Sequence, residues 1–307
     1  MYDVIGDVHG EGGKLRTLLR RIGYTEAGGS WHAPQDRRAV FVGDLIDRGP
    51  DQLDVLRTVR RMVDDGAALC VLGNHEFNAI GFAQRDVEGQ HLRPRSDKNM
   101  KQHAAFVEAV GLDSHEHRAW VDWFRTLPLA LDLGGIRVVH AWWDGPAVAA
   151  VEAARGGNAL PLSEAVVNHL YADPAAKAAR KLLTCGVEWT LPAGRWIVDK
   201  EGHRHPDARL AVWRHGAERL RDIALVPAGS RDAVPDIDIP PEHRLGPVEG
   251  APILFGHHWF SGPVRTESPK VACLDWSAAK GGPLVAYRWK GESELCDANL
   301  VAIGGKQ

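Results

Sequence analysis

Short, largely apolar runs recur in the first part of this chain, and each stops at a glycine. Tyr2–Ile5, Ala39–Val42 and Ala68–Leu72 are such runs, followed by Gly6, Gly43 and Gly73. Runs of this length closed by glycine read as buried strands. Between them the period changes. Leu15, Leu18, Leu19 and Ile22 fall at helical spacing, as do Leu53, Val55, Leu56, Val59 and Val63. Each set forms one face of an amphipathic helix. The N-terminal third therefore repeats strand, loop and helix, which predicts an α/β fold with a mainly parallel, right-handed sheet. Functional loops belong at the carboxyl ends of such strands.

Further along, the spacing predicts helices over 97–110 and 115–124. Strands follow at Leu127–Leu133 and Ile136–Val139, with Gly134-Gly135 as a hairpin turn. Helices are expected over 147–154 and 163–171, and a hairpin pairing 188–191 with 195–198 around Pro192-Ala193-Gly194. The stretch 226–250 is rich in proline and charge and reads as loop. Strands resume at 252–255, 270–274 and 283–289. The whole of 1–307 is taken as one domain, with a specificity insertion at about 145–250 that holds too few apolar runs for its own core.

Composition narrows the picture only slightly. A net charge of −3 over 307 residues supplies no field favouring nucleic acid or an acidic membrane. No apolar run is long enough to span a bilayer. Cys70, Cys185, Cys273 and Cys296 include no CxxC pair, and Cys70 and Cys273 sit in apolar runs as buried thiols. The first motif arrives within a few residues of Met1, leaving no room for a signal peptide, so a reduced cytoplasmic protein is expected. The oligomeric state is left open.

Chemistry enters at the loops. Gly6-Asp7-Val8-His9-Gly10, Gly43-Asp44-Leu45-Ile46-Asp47-Arg48-Gly49 and Gly73-Asn74-His75-Glu76 each put carboxylate, imidazole or amide groups directly after a strand. Val139-His140-Ala141 and Phe255-Gly256-His257 add later imidazoles. This oxygen-and-nitrogen set suits a pair of divalent ions, Mn2+ first, with Fe, Zn, Mg or Ni as alternatives. One carboxylate must bridge such a pair, and Asp44, on the second of three strands, is the natural bridge. Asp7 and His9 can turn toward one ion, and Asn74, His140 and His257 toward the other. Arg48 can grip a phosphate oxygen in bidentate fashion, with Asn74 also facing the substrate. His75 can give a proton to a leaving oxygen while Asp47 holds its ring. The pattern points to direct hydrolysis by a metal-activated hydroxide, with no covalent enzyme intermediate.

Each loop has a plainer reading. The first can be a glycine turn, the second a salt-bridged turn, and the third a helix start capped by Asn74. All three after successive strands leave those readings little room. His258 competes with His257 as a ligand. Trp142 and Trp143 are equally groove wall or packing. His203-Arg204-His205 reads as a solvated loop rather than a metal tract.

With these residues in place, the chain resembles the calcineurin-like metallophosphoesterases, and among them the phosphoprotein phosphatase type. The resemblance covers about 1–140 and 251–290. It implies a two-sheet sandwich flanked by helices (α/β/β/α) with an inserted middle section. It also implies Asp7, His9 and Asp44 around one ion and Asp44, Asn74, His140 and His257 around the other. Arg48 matches the phosphate-binding arginine, and His75 and Asp47 the proton donor and its partner. The family's second arginine falls where the chain cannot be aligned, leaving Arg195, Arg209, Arg214 and Arg219.

The match is not uniform. His140-Ala141-Trp142 replaces His-Gly-Gly, and Gly256-His257-His258-Trp259 replaces Gly-His-Thr. Phe255-Gly256-His257, Leu274-Asp275, Gly281-Gly282 and Arg288-Trp289 resemble bacterial symmetrical diadenosine tetraphosphatases instead. Glu76, by contrast, matches the protein phosphatases, because the tetraphosphatases carry Asp there. The leading expectation is hydrolysis of a phosphomonoester, such as phosphoserine or phosphothreonine in a phosphoprotein. The alternative is hydrolysis of diadenosine tetraphosphate or a related nucleotide. A third is a metal-stabilised binding protein without turnover, which the intact set from Asp7 to His257, with His75 and Arg48, argues against.

Overall fold

The computed structural model describes residues 1–198 and 204–305. They fall into two compact units, Met1–Thr184 with Ala251–Gln307, and Cys185–Gly250.

The first unit contains strands β1 (Tyr2–Ile5), β2 (Arg38–Phe41), β3 (Ala68–Cys70), β4 (Ala130–Asp132), β5 (Arg137–Val139), β6 (Ile253–Phe255), β7 (Val271–Cys273), β8 (Leu284–Trp289) and β9 (Leu300–Ile303). They build two sheets, in the orders β9-β8-β1-β2-β3 and β7-β6-β5-β4. In the first, β1, β2 and β3 run parallel, with Ile5 opposite Phe41 and Phe41 opposite Cys70. Strands β8 and β9 extend the other edge antiparallel. In the second, β5, β6 and β7 are parallel and β4 returns antiparallel. Helices α1 (Gly12–Arg21), α2 (Gln52–Asp64) and α3 (Asn74–Ala83) each follow one of the first three strands.

The period of two explains the sandwich. Val4, Val40, Val42, Val71, Val285 and Tyr287 from the first sheet share one buried cluster with Val138, Leu254, Ala272 and Leu274 from the second. Asp3, on the opposite face of β1, is fully buried and paired with Arg37 and with Arg288 at 3.3 Å. The α/β sandwich flanked by helices is thus the observed architecture. Among the described residues no helix is long and apolar enough to cross a membrane.

Several expectations needed correction. The helix expected over 97–110 is two, α4 (Asp97–Gln102) and α5 (Ala104–Val110), broken at His103. Between α6 (His115–Thr126) and β4, the strand expected from Leu127 begins only at Ala130, and the Pro128 carbonyl accepts the Leu72 N–H at 2.7 Å. The segments Gly145–Arg155, Glu164–Ala172 and Pro174–Cys185 are helices, and the last had not been foreseen. Residues 145–184 belong to the first unit.

In the second unit, Val187–Thr190 pairs with Asp207–Leu210, which pairs with Ala224–Leu225. Ile197–Val198 pairs with Arg204–His205. The expected hairpin between 188–191 and 195–198 is therefore absent among the described residues. Ala208, Leu210, Leu220, Ile223, Val234 and Ile239 are buried in this unit. His203 lies outside the described residues.

Gly6 marks where the sheets meet beyond their strand ends. A Cβ there would lie 2.0 Å from the Leu274 carbonyl oxygen, whereas one on Gly13, in α1, would meet nothing within 4 Å. Gly6→Ala should therefore cost roughly 1–3 kcal/mol by prying the sheets apart. Gly13→Ala should gain about 0.5–1 kcal/mol from helix propensity alone. Urea unfolding of the two single variants checks the opposite signs, and equal midpoints would contradict this account of Gly6.

Candidate metal centre

All the expected site residues lie in the first unit, on the carboxyl side of β1, β2, β3, β5 and β6. Their backbones are wound tightly. His9, Asp44, Asp47, Arg48 and His257 all have positive φ, between 45° and 71°. Side chains other than glycine avoid this region unless the surroundings over-determine it.

Glu76 is the main determinant of the second loop. Its buried carboxylate accepts the backbone N–H groups of Asp44 (2.9 Å), Leu45 (2.7 Å), Ile46 (3.2 Å) and Gly73 (3.0 Å). Burial and the nearby charge of Asp44 push its pKa up to about 7. The first turn of α3 thus pins the loop after β2. Asn74 does not cap that helix, whose N-cap is Gly73. Its amide oxygen instead lies 3.0 Å from His140 Nε2 and 2.7 Å from His257 Nδ1.

The ring tautomers follow from their outer contacts. His140 Nδ1–H donates to the Val42 carbonyl at 2.7 Å, and His9 Nδ1–H donates to Ile46 at 2.8 Å. Each neutral ring then turns its Nε2 lone pair inward. His140 Nε2 stands 3.3 Å and His9 Nε2 3.5 Å from Asp44 Oδ2. Lone pairs of two imidazoles, an amide and a carboxylate thus converge on one buried locus. Two groups emerge, His9, Asp44 and His75, and Asp44, His140 and His257, with the ligand atoms of each within 4.8 Å of one another. Asp44 is common to both, and its Oδ1 accepts the His75 N–H at 3.0 Å.

Several of these inward-facing groups are held away from their ordinary pKa values. Burial, helped by the charges of His75 and Arg48, pushes His9 down to about 3 against the pull of Asp44. Burial, then the charges of Asp275 and Asp44, hold the Asp7 carboxyl well above its usual range. Asp44 is also buried, but the charges of His140 and His75 outweigh that and hold it low. Burial lowers His140, yet Asp44 more than reverses it. Asp7 Oδ1 and His9 Nε2 are buried without a hydrogen-bond partner. Divalent cations would satisfy these atoms and reverse the local pKa logic. The residues present therefore fit a pair of metal ions.

Asp7 stands outside the two tight groups, while His75, expected only as a proton donor, stands inside one. Asp7 Oδ2 accepts the His257 N–H at 3.0 Å, and a Cβ on Gly256 would strike Asp7 Oδ1 at 1.8 Å. His75 Nδ1–H donates to Asp47 at 2.5 Å, and its Nε2 is 3.9 Å from Asp44. Burial lowers the His75 pKa, but Asp44 and Asp47 raise it above the usual value. Asp47 also accepts His103 Nδ1–H at 2.9 Å, so one carboxylate holds two imidazoles. Burial would raise that carboxyl, but His103 and then His75 hold it low.

His103 was missed. It sits at the break between α4 and α5, and in the sequence it looks like one polar residue within a helical run. His258 is also buried but faces away from Asn74, its Nε2 lying 3.2 Å from the Ala141 carbonyl. Trp142 is packing, set edge-on against Phe255. Of the candidate arginines, Arg219 pairs with Asp236 and Asp238, and Arg195 donates to the Asp232 and Ala233 carbonyls.

Comparison with known proteins places this geometry. The family model described as calcineurin-like phosphoesterase matches residues 2–229. A symmetrical bis(5'-nucleosyl)-tetraphosphatase of Aromatoleum aromaticum is 30% identical over 285 residues, 89% of this chain and 82% of its own. An asymmetrical bis(5'-nucleosyl)-tetraphosphatase of Halalkalibacterium halodurans is 47% identical over 74 residues, 24% of this chain and 30% of its own. Among solved structures, the cold-active protein-tyrosine phosphatase of a psychrophilic Shewanella is 19% identical with a TM-score of 0.50. That match covers 94% of this chain and 75% of the other, and it shows the shared fold. A family match across most of the chain, over a buried locus built for cations, makes this protein a member of the calcineurin-like phosphoesterases, dinuclear-metal-dependent hydrolases of phosphoric esters.

Proposed function

We propose that this chain hydrolyses dinucleoside polyphosphates, with the symmetrical tetraphosphates as preferred substrates. The observation that carries the reading is the reach of the similarity to a symmetrical tetraphosphatase, 89% of this chain. It extends past the motif-bearing strands into regions the motifs do not touch. The phosphomonoester reading leaned on Glu76, and that carboxylate is used up by four backbone amides. It faces no substrate and says nothing about one. The phosphomonoester expectation therefore gives way to the dinucleotide.

In this reading Asp7, His9 and Asp44 hold one cation, and Asp44, Asn74, His140 and His257 the other, with Mn2+ proposed for the mixed carboxylate, amide and imidazole set. Bound there, the pair supplies an acidified water and offsets charge on the phosphoryl oxygens. Arg48 binds a phosphate oxygen. Asp47 fixes the His75 ring, leaving Nε2 to face the reacting bond and donate a proton to the departing oxygen. His103, on the far side of Asp47, holds that carboxylate in place.

Substrate choice is tested by offering the Mn2+-loaded protein equal concentrations of diadenosine tetraphosphate and a phosphoserine peptide. The dinucleotide should be consumed at least about tenfold faster, one decade being 1.4 kcal/mol in the barrier. Faster release of phosphate from the peptide overturns the reading.

Asp44→Asn removes the shared charge. It should lower bound metal and reduce kcat by at least about a hundredfold, read by elemental analysis beside steady-state kinetics. Full metal content and turnover would remove Asp44 from the bridging role.

His75→Asn separates its two possible places. As a proton donor it should keep metal content near normal while slowing substrates with poor leaving groups by roughly a hundredfold or more. His103→Ala should slow the same substrates by roughly ten- to a hundredfold. Loss of one ion in His75→Asn would make His75 a ligand instead.

A further inference from the structure

The loop Gly256–Phe260 feeds the metal centre from the inside and reaches its rim at Trp259. The rim carries a feature of which the proposed reaction uses only Arg48. Trp259 is half-buried, and its ring holds two cations, the Arg48 guanidinium at 4.7 Å from the ring centre and the Lys280 ammonium at 4.6 Å. Arg48 and Lys280 are both exposed. They come from separate parts of the chain, the loop after β2 and the short 3-10 turn Ala278–Lys280.

The backbone makes this meeting specific. Trp259 sits at φ 54°, Arg48 at φ 71°, and Ser277, which opens the turn bearing Lys280, at φ 61°. A bulky residue at positive φ persists only when its surroundings enforce it, and such strain gathers at functional sites. The buried Asp275 carboxylate does the enforcing on two sides. It accepts the Trp259 N–H at 2.7 Å and the Ser277 N–H at 2.9 Å, so one side chain fixes both the indole and the lysine turn. Two like charges gathered on one ring repel each other, and an anion lying across both relieves that repulsion. Arg48 also lies close enough to the centre for its charge to depress His9 and to oppose protonation of His75.

We propose that Arg48, Trp259 and Lys280 form a clamp for a phosphate of the substrate other than the one undergoing attack. Lys280 binds that phosphate, and Trp259 is the positioning residue that aligns the two cations. The clamp thus selects linked phosphates over a single one. This deepens the dinucleoside polyphosphate reading and rests on it.

The test uses inhibitors that are not cleaved, so it is independent of which ester the enzyme turns over. Methylenediphosphonate and inorganic phosphate are compared as competitive inhibitors of p-nitrophenyl phosphate hydrolysis by the Mn2+-loaded full chain. The wild type should bind the diphosphonate more tightly than phosphate. Lys280→Met should erode that ratio roughly tenfold, as expected for one charge-assisted contact, and Lys280→Arg should largely keep it. Trp259→Leu retains both charges and should erode the ratio as well, whereas a long-range effect of net charge would spare it. Metal content and thermal unfolding confirm that each variant is folded. An unchanged ratio in Lys280→Met overturns the clamp, as does loss in Lys280→Met with none in Trp259→Leu. Preference for a monoester in the wild type overturns the substrate reading separately, through a different measurement.

Discussion

Lone pairs are aimed at one another in the middle of this protein, and only positive charge makes that tolerable. The His140 and His9 rings give their one N–H outward to backbone carbonyls, and turn bare nitrogens toward the Asp44 carboxylate. Asn74 adds an amide oxygen to the same space. Against its burial, His140 takes a proton more readily than a free imidazole, because Asp44 raises its pKa. Buried His9 is too heavily desolvated to do so. A pair of divalent ions would resolve the conflict without protons.

That conflict is affordable because the scaffold around it is rigid. Two parallel stretches of strand from different sheets end at the same place, and the sandwich core behind them is continuous. Glu76 ties the loop after β2 to the start of α3, so strain at Asp44 and Asp47 is spread over several amide hydrogen bonds. Gly256 lets the loop after β6 press against Asp7. The loops are held by the protein's own hydrogen bonds, and fixed donors of this kind are what electrostatic catalysis requires.

The parts that could be read from the sequence were those with local signatures. Strand, glycine, ligand is a pattern of a few neighbouring residues, so the parallel strands β1 to β3 and the loops after them were visible directly. His140 and His257 were visible because each also ends an apolar run. What stayed hidden was nonlocal. Glu76 read as the end of a motif, whereas its work is to bind backbone groups some thirty residues earlier in the chain. His103 lies in a run of helical periodicity, and only tertiary contact with Asp47 explains the break there. The mispaired hairpin near residue 190 has the same origin. A short turn suggested the nearest partner, and Val187–Thr190 took one further along the chain.

The inner and outer layers of the site carry different kinds of information. Ligand residues answer to the geometry of the ions, so they mark a reaction class and leave the substrate open. This is why a motif ending in Glu76 pointed toward protein phosphatases while the relatives by overall similarity are tetraphosphatases. Discrimination between one phosphate and several requires groups beyond the reacting phosphorus, where the extra charge of a polyphosphate lies. In this chain the groups proposed for that role are on the rim, where Asp275 shapes the turns bearing Trp259 and Lys280. Beside the effect of burial, the charge of Asp275 raises the Asp7 carboxyl further. A single buried carboxylate therefore links the electrostatics of the centre to the placement of the outer cations.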